Sequence, residues 1–493
     1  MASDTMGAKR QLEEDAVLAQ ESSAAIEVPP KKAKRLRNQT PEQKIATKYR
    51  LKVELCANAV DARGALDLYQ QMKAEDVTLS PYIFRVIINV CVKAEPSPEL
   101  KTEAFQVYED MKADAVFSKG IDESIYSALL KLCAKAHDFE RCQALIAEID
   151  DKKTAPKLRT FAPLLHAYSE VGDLANCLAV KSKIEGHEIE LTEPEYLALL
   201  KVCTAISEAT QFYALLDEYI DAIAQPDPSA WDVLKDWFSC EAAQVDGKKW
   251  TCSTGTVDEA GMCSATGKQL QSIELAPEVE KELLAKIESL VTTDERRTDQ
   301  WEAFKTWLDE HGPFDVVIDA ANVGYFNQNH ADGGFDYSQI ETMLTHYQSQ
   351  GKRVLIVLHK RRTLDDEVPE QHREMVADWA LSGTMFNCLP GNNDDWYWLY
   401  AAVKLGGRTL AVTNDEMRDH HFQMIHNKAF VRWKERHQTR YAIRDDRWKL
   451  YEPRAFSARP QRVDGAWHFP SSADAALVGS PQATWLCFSL ETL

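Results

Sequence analysis

No apolar stretch in the 493-residue sequence approaches the ~18 residues that a membrane-crossing helix needs, so no membrane partner is expected. Positive charge is scarce as well. Lys and Arg number 57 against 77 Asp and Glu, a formal charge of −20. General surface basicity is therefore excluded as a working principle. Nucleic-acid binding would need local basic patches, or metal ions that offset the chain's own carboxylates. Cysteine is present in an odd number, 11, with no disulfide-framework spacing. Cys56, Cys91, Cys133, Cys142, Cys177 and Cys203 lie within helix-like apolar patterns and read as small buried hydrophobes of a reducing compartment. The first residues lack the apolar core of a signal peptide and carry Asp4, Glu13, Glu14 and Asp15, which argues against an organellar transit peptide. Missing too are a Gly-x-x-x-x-Gly-Lys-Ser/Thr loop and a Gly-x-Ser-x-Gly elbow, so neither that class of NTPase nor that class of hydrolase is supported. With 45% hydrophobic residues there is material for real cores, and at roughly 150 residues per domain the length suggests about three domains.

Residues 1–40 are polar and aperiodic, and end in Lys31, Lys32, Lys34, Arg35 and Arg37. This reads as a disordered tail carrying a nuclear localisation signal, with non-specific RNA contact as the alternative. Beyond it the chain repeats. An aromatic stands seven residues before a Cys or Tyr in Tyr49/Cys56, Phe84/Cys91, Tyr126/Cys133, Phe161/Tyr168 and Tyr196/Cys203, and successive aromatics are 35, 42, 35 and 35 residues apart. A second amphipathic stretch follows each, as in Leu66-Leu68-Tyr69-Met72 and Phe105-Val107-Tyr108-Met111. The longer interval suggests an insertion at Glu95–Lys101, where Pro96 and Pro98 sit. A helix pair of this length cannot bury its apolar face alone, but stacked copies can, which predicts an α-solenoid. The pattern resembles pentatricopeptide repeats, which implies RNA binding. The rival, tetratricopeptide repeats, implies peptide binding, but its Trp and Gly signatures are missing. The residues after the aromatics are Arg50, Arg85, Ser127, Ala162 and Leu197. They form no base-reading series, so recognition of RNA shape and phosphates is expected.

The second half alternates β-type runs (Phe314–Ile318, Val354–Leu358, Leu410–Val412) with helical stretches around Tyr337–Gln350, Glu367–Leu381 and Asp395–Lys404. That alternation predicts a parallel sheet covered by helices, with its site beyond the carboxyl ends of the strands. Asp319 and Asp415 follow two such runs, and Asp394 and Asp395 open a helix between them. Four carboxylates converging on one rim would repel one another unless divalent cations stood between them. Two ions about 4 Å apart would activate water and stabilise a leaving oxygen in phosphodiester hydrolysis. The alternative reading makes Asp319 and Asp415 turn residues and Asp394/Asp395 a helix start. Residues 430–463 carry ten cations against four acids, a local footprint for RNA. Arg432, Lys434 and Arg436 within it, and His359, Lys360, Arg361 and Arg362 after another strand, are candidate RNA contacts. His420 and His437 are candidate proton shuttles. Trp396, Tyr397, Trp398 and Tyr400 read as core.

Five segments in order resemble the metallonuclease of protein-only ribonuclease P: Ile318-Asp-Ala-Ala-Asn-Val-Gly324, Ile356-Val-Leu-His-Lys-Arg-Arg362, Gly391-Asn-Asn-Asp-Asp-Trp-Tyr-Trp-Leu-Tyr-Ala401, Val412-Thr-Asn-Asp-Glu-Met-Arg-Asp-His420 and Arg432-Trp-Lys-Glu-Arg-His437. The resemblance implies a multidomain protein: an all-α pentatricopeptide solenoid, a small β-rich split linker, and an α/β metallonuclease of the NYN/PIN kind with a parallel sheet. It implies endonucleolytic removal of the 5′ leader of precursor tRNA, leaving a 5′-phosphate, without an RNA subunit. It places two Mg²⁺ (or Mn²⁺) ions on Asp319, Asp394, Asp395 and Asp415. It also implies a linker zinc held by a Cys-x-x-Cys pair with a His and a Cys from the C-terminal segment. Cys263, His468 and Cys487 match, but Thr266 stands at the second Cys position, and Thr is a poor zinc ligand. Zn²⁺ held with help from Cys240, Cys252 or water, weak zinc, and a metal-free domain packed on Trp250, Trp467 and Trp485 all remain open. The expected divisions are 1–40 (tail), 41–225 (solenoid), 226–275 with 456–493 (linker) and 276–455 (nuclease). The protein is expected to be a nuclear monomer. Its rivals are a non-catalytic RNA-binding adaptor and a nuclease for other structured RNAs.

Overall fold

Each aromatic of the repeat lies on the first helix of a pair. The computed structural model describes residues 40–272, 275–292, 297–328, 334–389, 393–415, 428–444, 447–474 and 483–490. The basic cluster Lys31–Arg37 and His420 fall outside them. The chain divides into two compact units, one ending at Ile206 and the other beginning at Ser207.

In the first unit the leading helices are Pro41–Ala59, Pro81–Lys93, Glu123–Lys135, Leu158–Glu170 and Glu193–Ile206; the following ones are Ala62–Ala74, Pro98–Ala113, Phe139–Asp151 and Leu174–Gly186. Tyr49, Phe84, Tyr126, Phe161 and Tyr196 are all buried, with Cys91, Cys133 and Cys203 beside them on the same faces. The turn within a pair is built the same way three times. Val60, His137 and Gly172 take left-handed φ values of 55°, 49° and 75°. The next residue, Asp61, Asp138 or Asp173, caps the second helix by accepting the N–H of Gly64, Arg141 or Asn176 at 2.8, 3.3 and 3.1 Å. A left-handed residue ends one helix and an Asx cap starts the next, so each turn needs almost no loop. Successive pairs are tied through their second helices. Tyr69 Oη and Lys73 Nζ donate to Asp110 at 2.7 and 2.6 Å, and Tyr108 Oη and Lys112 Nζ donate to Glu148 at 2.7 and 2.8 Å.

The insertion expected at Glu95–Lys101 is mostly elsewhere. Pro98 is the first residue of a helix capped by Ser97, a position where its missing N–H costs nothing. The extra length lies chiefly in that helix, 16 residues against 13 for Phe139–Asp151, and in the 3₁₀ turn Phe117–Gly120 after it. The prolines mark a helix start and not a loop.

The second unit contains helices Ala209–Ala222 and Pro228–Ser239 and ten strands among the described residues: β1 (Trp250–Thr256), β2 (Val316–Asp319), β3 (Val354–His359), β4 (Met385–Cys388), β5 (Leu410–Val412), β6 (Gln438–Arg444), β7 (Arg447–Tyr451), β8 (Gln461–Val463), β9 (Ala466–Phe469) and β10 (Thr484–Leu490). The larger sheet has the order β4-β3-β2-β5-β6-β7. It is parallel from β4 to β6, and β7 pairs antiparallel with β6. The parallel sheet expected from sequence is present, and the basic stretch after residue 437 adds an antiparallel strand at its edge, which makes the whole a mixed sheet. Both faces are covered. Val317, Leu355, Val357 and Ala411 pack with the helices Pro277–Val291, Thr298–His311, Asp394–Leu405 and Lys428–His437; Val316, Ile318, Ile356, Leu358 and Val412 pack with Tyr337–Ser349 and Arg373–Leu381. Burial on both faces is why these strands read as unbroken apolar runs. Trp396, Tyr397, Trp398 and Tyr400 are buried in the first of these layers.

A second sheet, β1-β10-β9-β8, is antiparallel throughout. Its strands come from both sides of the larger sheet in sequence, β1 before it and β8–β10 after it. Among the described residues, no helix is long and apolar enough to cross a membrane.

Candidate active site

The strand order reverses beside β2: β3 and β4 lie on one flank and β5 on the other. Such a switch point opens a crevice at the carboxyl ends of the strands. Asp319 ends β2 and Asp415 follows β5, so adjacent strands deliver both carboxylates to that crevice. Asp319 is 3% exposed. It caps the short helix Ala320–Tyr325 by accepting the Asn322 N–H at 3.0 Å, and its other oxygen accepts the Thr413 hydroxyl at 2.7 Å. Asp394 and Asp395 occupy the first turn of Asp394–Leu405, where Asn393 caps the helix by accepting the Asp395 N–H at 3.2 Å. The positive end of that helix favours their charge. Gly324, which ends the first motif, lies under the Phe335 ring; a Cβ there would stand 2.4 Å from a ring carbon.

A cleft of about 380 Å³ is lined by Asp319, Asp395 and Asp415 together with Asn322, Tyr325 and Asn414. Asp394 stands beside this cleft, not in its lining, close enough to act on both Asp319 and Asp395. Burial, then the charges of Asp395 and Asp394, push the Asp319 carboxyl well above the usual carboxylate range. Burial also raises Asp394, which His359 partly opposes. Asp395 is pushed up to about 6 by burial and by Asp394 and Asp415. The site thus concentrates carboxylate where water cannot screen it. An all-oxygen donor set under this repulsion fits hard divalent cations.

A hydrogen-bond network that sequence reasoning missed holds this rim. Thr413, fully buried, donates to Asp319 and accepts the Asp415 N–H at 3.0 Å. The Asn322 side-chain oxygen accepts the Asn414 N–H at 2.8 Å and the Tyr441 hydroxyl at 2.6 Å. Gln438 donates to the carbonyls of Thr413 and Asp415 at 3.1 and 2.9 Å. Thr413 and Asn414 lie inside a quoted motif, but nothing in their spacing announces these partners. Tyr441 and Gln438 sit on a strand that periodicity did not reveal.

The candidate RNA contacts fall in two places. His359 ends β3, with Lys360 exposed after it. Arg361 and Arg362 are paired with Glu367 at 3.0 and 3.1 Å, and Arg362 also donates to the hydroxyl of Tyr325, which lines the cleft. Arg432, Lys434 and Arg436 line a different cavity, where Arg432 is bound to Asp221 at 2.7 Å. His437 is buried, its Nδ1 2.8 Å from the Thr409 carbonyl. That places it at the opposite end of β5 from Asp415.

In the split linker, Cys263, His468 and Cys487 are buried and their ligand atoms lie within 4.8 Å of one another. Cys487 and His468 are direct cross-strand neighbours on β10 and β9. The two sulfurs are 3.6 Å apart, and the Thr266 hydroxyl is 2.8 Å from His468 Nε2. The Cys487 thiol, with help from His468 and Thr266, holds Cys263 far below the usual thiol range, while Cys263 and burial push Cys487 up. His468 Nδ1 is buried with no hydrogen-bond partner among the described residues. Cys252 is one register position from Cys487's partner Ser253 and so lies on the other face of the sheet; neither it nor Cys240 joins the cluster. Two sulfurs and an imidazole fit zinc as three ligands, and the Thr266 hydroxyl beside His468 adds no good fourth donor. Trp467 and Trp485 are buried.

Two family profiles cover the chain: the pentacotripeptide-repeat region of PRORP matches residues 36–245, and protein-only RNase P matches residues 257–487. Proteinaceous RNase P 1, chloroplastic/mitochondrial, of Arabidopsis thaliana is 32% identical over 476 residues, which cover 88% of this chain and 81% of the relative. The chain belongs to the protein-only RNase P family. Proteinaceous RNase P 2 of the same plant is 30% identical, over 89% of this chain and 90% of its own. The crystal structure of nuclear proteinaceous RNase P 2 from A. thaliana matches with a TM-score of 0.74 at 29% identity, over 92% of this chain and 100% of that one. The repeat unit, the split linker and the α/β unit are therefore the parts of a protein-only RNase P, an enzyme that processes tRNA.

Proposed function

We propose that the enzyme removes the 5′ leader of precursor tRNA by metal-assisted hydrolysis at the Asp319–Asp394–Asp395–Asp415 rim. The observation that carries this is the convergence of the four carboxylates at the switch point of the sheet. Two Mg²⁺ or Mn²⁺ ions held there would supply an activated water and charge neutralisation at the leaving oxygen. The protein's own part is positional. Thr413 orients Asp319 and the Asp415 backbone together, and the start of the helix Asp394–Leu405 presents the adjacent pair. Arg362, stacked by Tyr325 and Phe335 at 5.1 Å from each ring, stands ready with His359, Lys360 and Arg361 to meet phosphates. Arg432, Lys434 and Arg436 meet others farther along the helix Lys428–His437. No RNA subunit is required, and the enzyme works as a monomer.

In the repeat unit, a groove of about 690 Å³ runs along the leading helices, with Lys93, Lys131, Lys135, Arg159 and His166 in its lining. We assign it to the phosphates of the tRNA body. Residues 41–225 form the RNA-binding solenoid, 276–455 the nuclease, and 226–275 with 456–493 the linker. A zinc ion on Cys263, His468 and Cys487 would fasten the two halves of that linker. Lys31, Lys32, Lys34, Arg35 and Arg37 direct the protein to the nucleus, and their replacement by Ala would leave a tagged copy in the cytoplasm.

Purified protein alone, incubated with 5′-extended tRNA and Mg²⁺, should release a leader and a tRNA bearing a 5′-phosphate. EDTA should stop the reaction, and excess Mg²⁺ or Mn²⁺ should restore it. Undiminished cleavage in EDTA would defeat the metal reading. Absence of cleavage with bound RNA would favour the adaptor.

A further inference from the structure

A second cavity, of about 390 Å³, lies between the helix Lys428–His437, β6 and the segment from Tyr451 to Arg459. It shares no lining residue with the aspartate cleft. Its walls carry Arg432, Lys434, Arg436, Arg440, Arg454 and Arg459, against only Glu435 and Glu452. In a chain of charge −20 such a surplus of cations needs a reason, because like charges brought together cost stability unless an anion joins them. Two of the six also tie the walls of the cavity together. Arg459, 5% exposed, grips Glu435 with both arms at 2.6 and 2.8 Å, and Arg432 is bound to Asp221. These pairs fix the helix against its neighbours, so the cavity is formed before any ligand arrives.

The lip of the cavity carries an aromatic. Tyr451 is 50% exposed, and Lys449 Nζ lies 5.0 Å from its ring centroid. In the β6–β7 hairpin Tyr451 is paired directly with Arg440, so ring and guanidinium stand side by side on one face. A cationic groove beside an exposed ring is the arrangement that tracks a phosphate backbone while stacking its bases. A duplex cannot use the ring, since its bases are stacked inside the helix. We propose that this cavity binds single-stranded RNA: the unpaired nucleotides that extend beyond the tRNA body. The inference rests on the precursor-tRNA reading above and adds where the extension lies. Gln438 joins the two sites, lining this cavity while its amide holds the carbonyls of Thr413 and Asp415. The 5′ leader and a 3′ extension offer the same chemistry, and only a comparison of substrates separates them.

The test uses the full chain in Ca²⁺, which holds cleavage off, and fluorescence anisotropy on four RNAs: a tRNA body trimmed to its last base pair, the same body with a leader, with a 3′ extension, and with both. Tyr451→Ala should raise Kd about tenfold for an extended RNA, from loss of one stacked base, and leave the trimmed body within about twofold. Tyr451→Phe should bind like the unaltered protein. Arg440→Glu should also weaken the extended RNA and flatten the salt dependence of its binding by about one phosphate contact or more. Whichever single extension shows the loss is the occupant. Normally folded variants that bind every RNA as tightly as the parent would overturn the proposal. So would an equal loss on the trimmed body, which would mark a duplex-phosphate surface. If the unaltered protein bound no precursor tRNA at all, the precursor-tRNA reading itself would fall.

Discussion

The aspartate rim and the Cys–His cluster are both candidate metal centres, and they solve the problem of buried donors in opposite ways. At the rim, charge is left uncompensated: Asp319, Asp394 and Asp395 are all pushed up by burial, and protein hydrogen bonds satisfy only part of their capacity. In the linker the donors largely satisfy one another, Cys487 toward Cys263 and Thr266 with His468. The first arrangement is one that a divalent cation would relieve. The second can stand without one, so a missing fourth ligand is tolerated there. Uncompensated carboxylates leave work for a cation, whereas donors that hydrogen-bond one another leave less.

The sharpest way to break this comparison is to remove charge from the rim. Asp394→Ala with Asp395→Ala should lower single-turnover cleavage by roughly a thousandfold or more, about 4 kcal/mol of transition-state stabilisation. Precursor-tRNA affinity in Ca²⁺ should change far less, and the melting temperature of the metal-free protein should not fall, because repulsion with Asp319 and Asp415 is relieved. Parallel losses of melting temperature, affinity and rate would show that the pair is structural.

A gentler cut tests the hydrogen bonds of the rim. Thr413→Val keeps the shape and removes the hydroxyl that joins Asp319 to the Asp415 backbone. A hydrogen bond to a charged group is worth about 1.5–3 kcal/mol, so the Mg²⁺ midpoint for cleavage, and the Mn²⁺ affinity measured calorimetrically, should weaken by about tenfold or more. Thr413→Ser should restore both.

For the linker, Thr266→Cys should complete a four-donor zinc site. Zinc retention through dialysis should rise, and the melting temperature should increase by a few degrees in the presence of zinc. Equal zinc content in parent and variant would show that the fourth corner does not matter.

The smallest effect is in pH. The folded-state values of Asp319, Asp394 and Asp395 lie above the unfolded ones, so the folded protein holds more protons than the unfolded chain across that window, and stability falls as pH rises. Without metal, the melting temperature should decline from about pH 4 through the Asp395 value of about 6, by a few degrees relative to the double Ala variant. Mg²⁺ should abolish that difference. A linker-only origin of the slope would leave it unchanged by Mg²⁺.

Local pattern made much of this legible. Tyr49, Phe84, Tyr126, Phe161 and Tyr196 recur because each repeat must bury the same face. Asp319 and Asp415 stand after apolar runs because strand ends are where a parallel sheet presents its site. What misled the reading was also local. Pro98 looked like an insertion and is a helix start. The hairpin of β6 and β7 was hidden by its cations, since an edge strand open to solvent has no continuous apolar run to betray it.

By itself, the order of residues determined the repeat, the strand-helix alternation and the placing of Asp319 and Asp415 after apolar runs, because these follow from spacing along the chain, whereas the split linker followed from the family resemblance. Only the tertiary structure decided that Thr413 clamps Asp319 and that Tyr441 reaches Asn322. It also decided that Thr266 meets His468 and that Tyr451 stands beside Arg440 at the lip of a cationic cavity. These partners are 94, 119, 202 and 11 positions apart in sequence. Periodicity speaks only of neighbours along one element, whereas a hydrogen bond or a shared face between elements exists once the sheets have fixed which strands lie side by side.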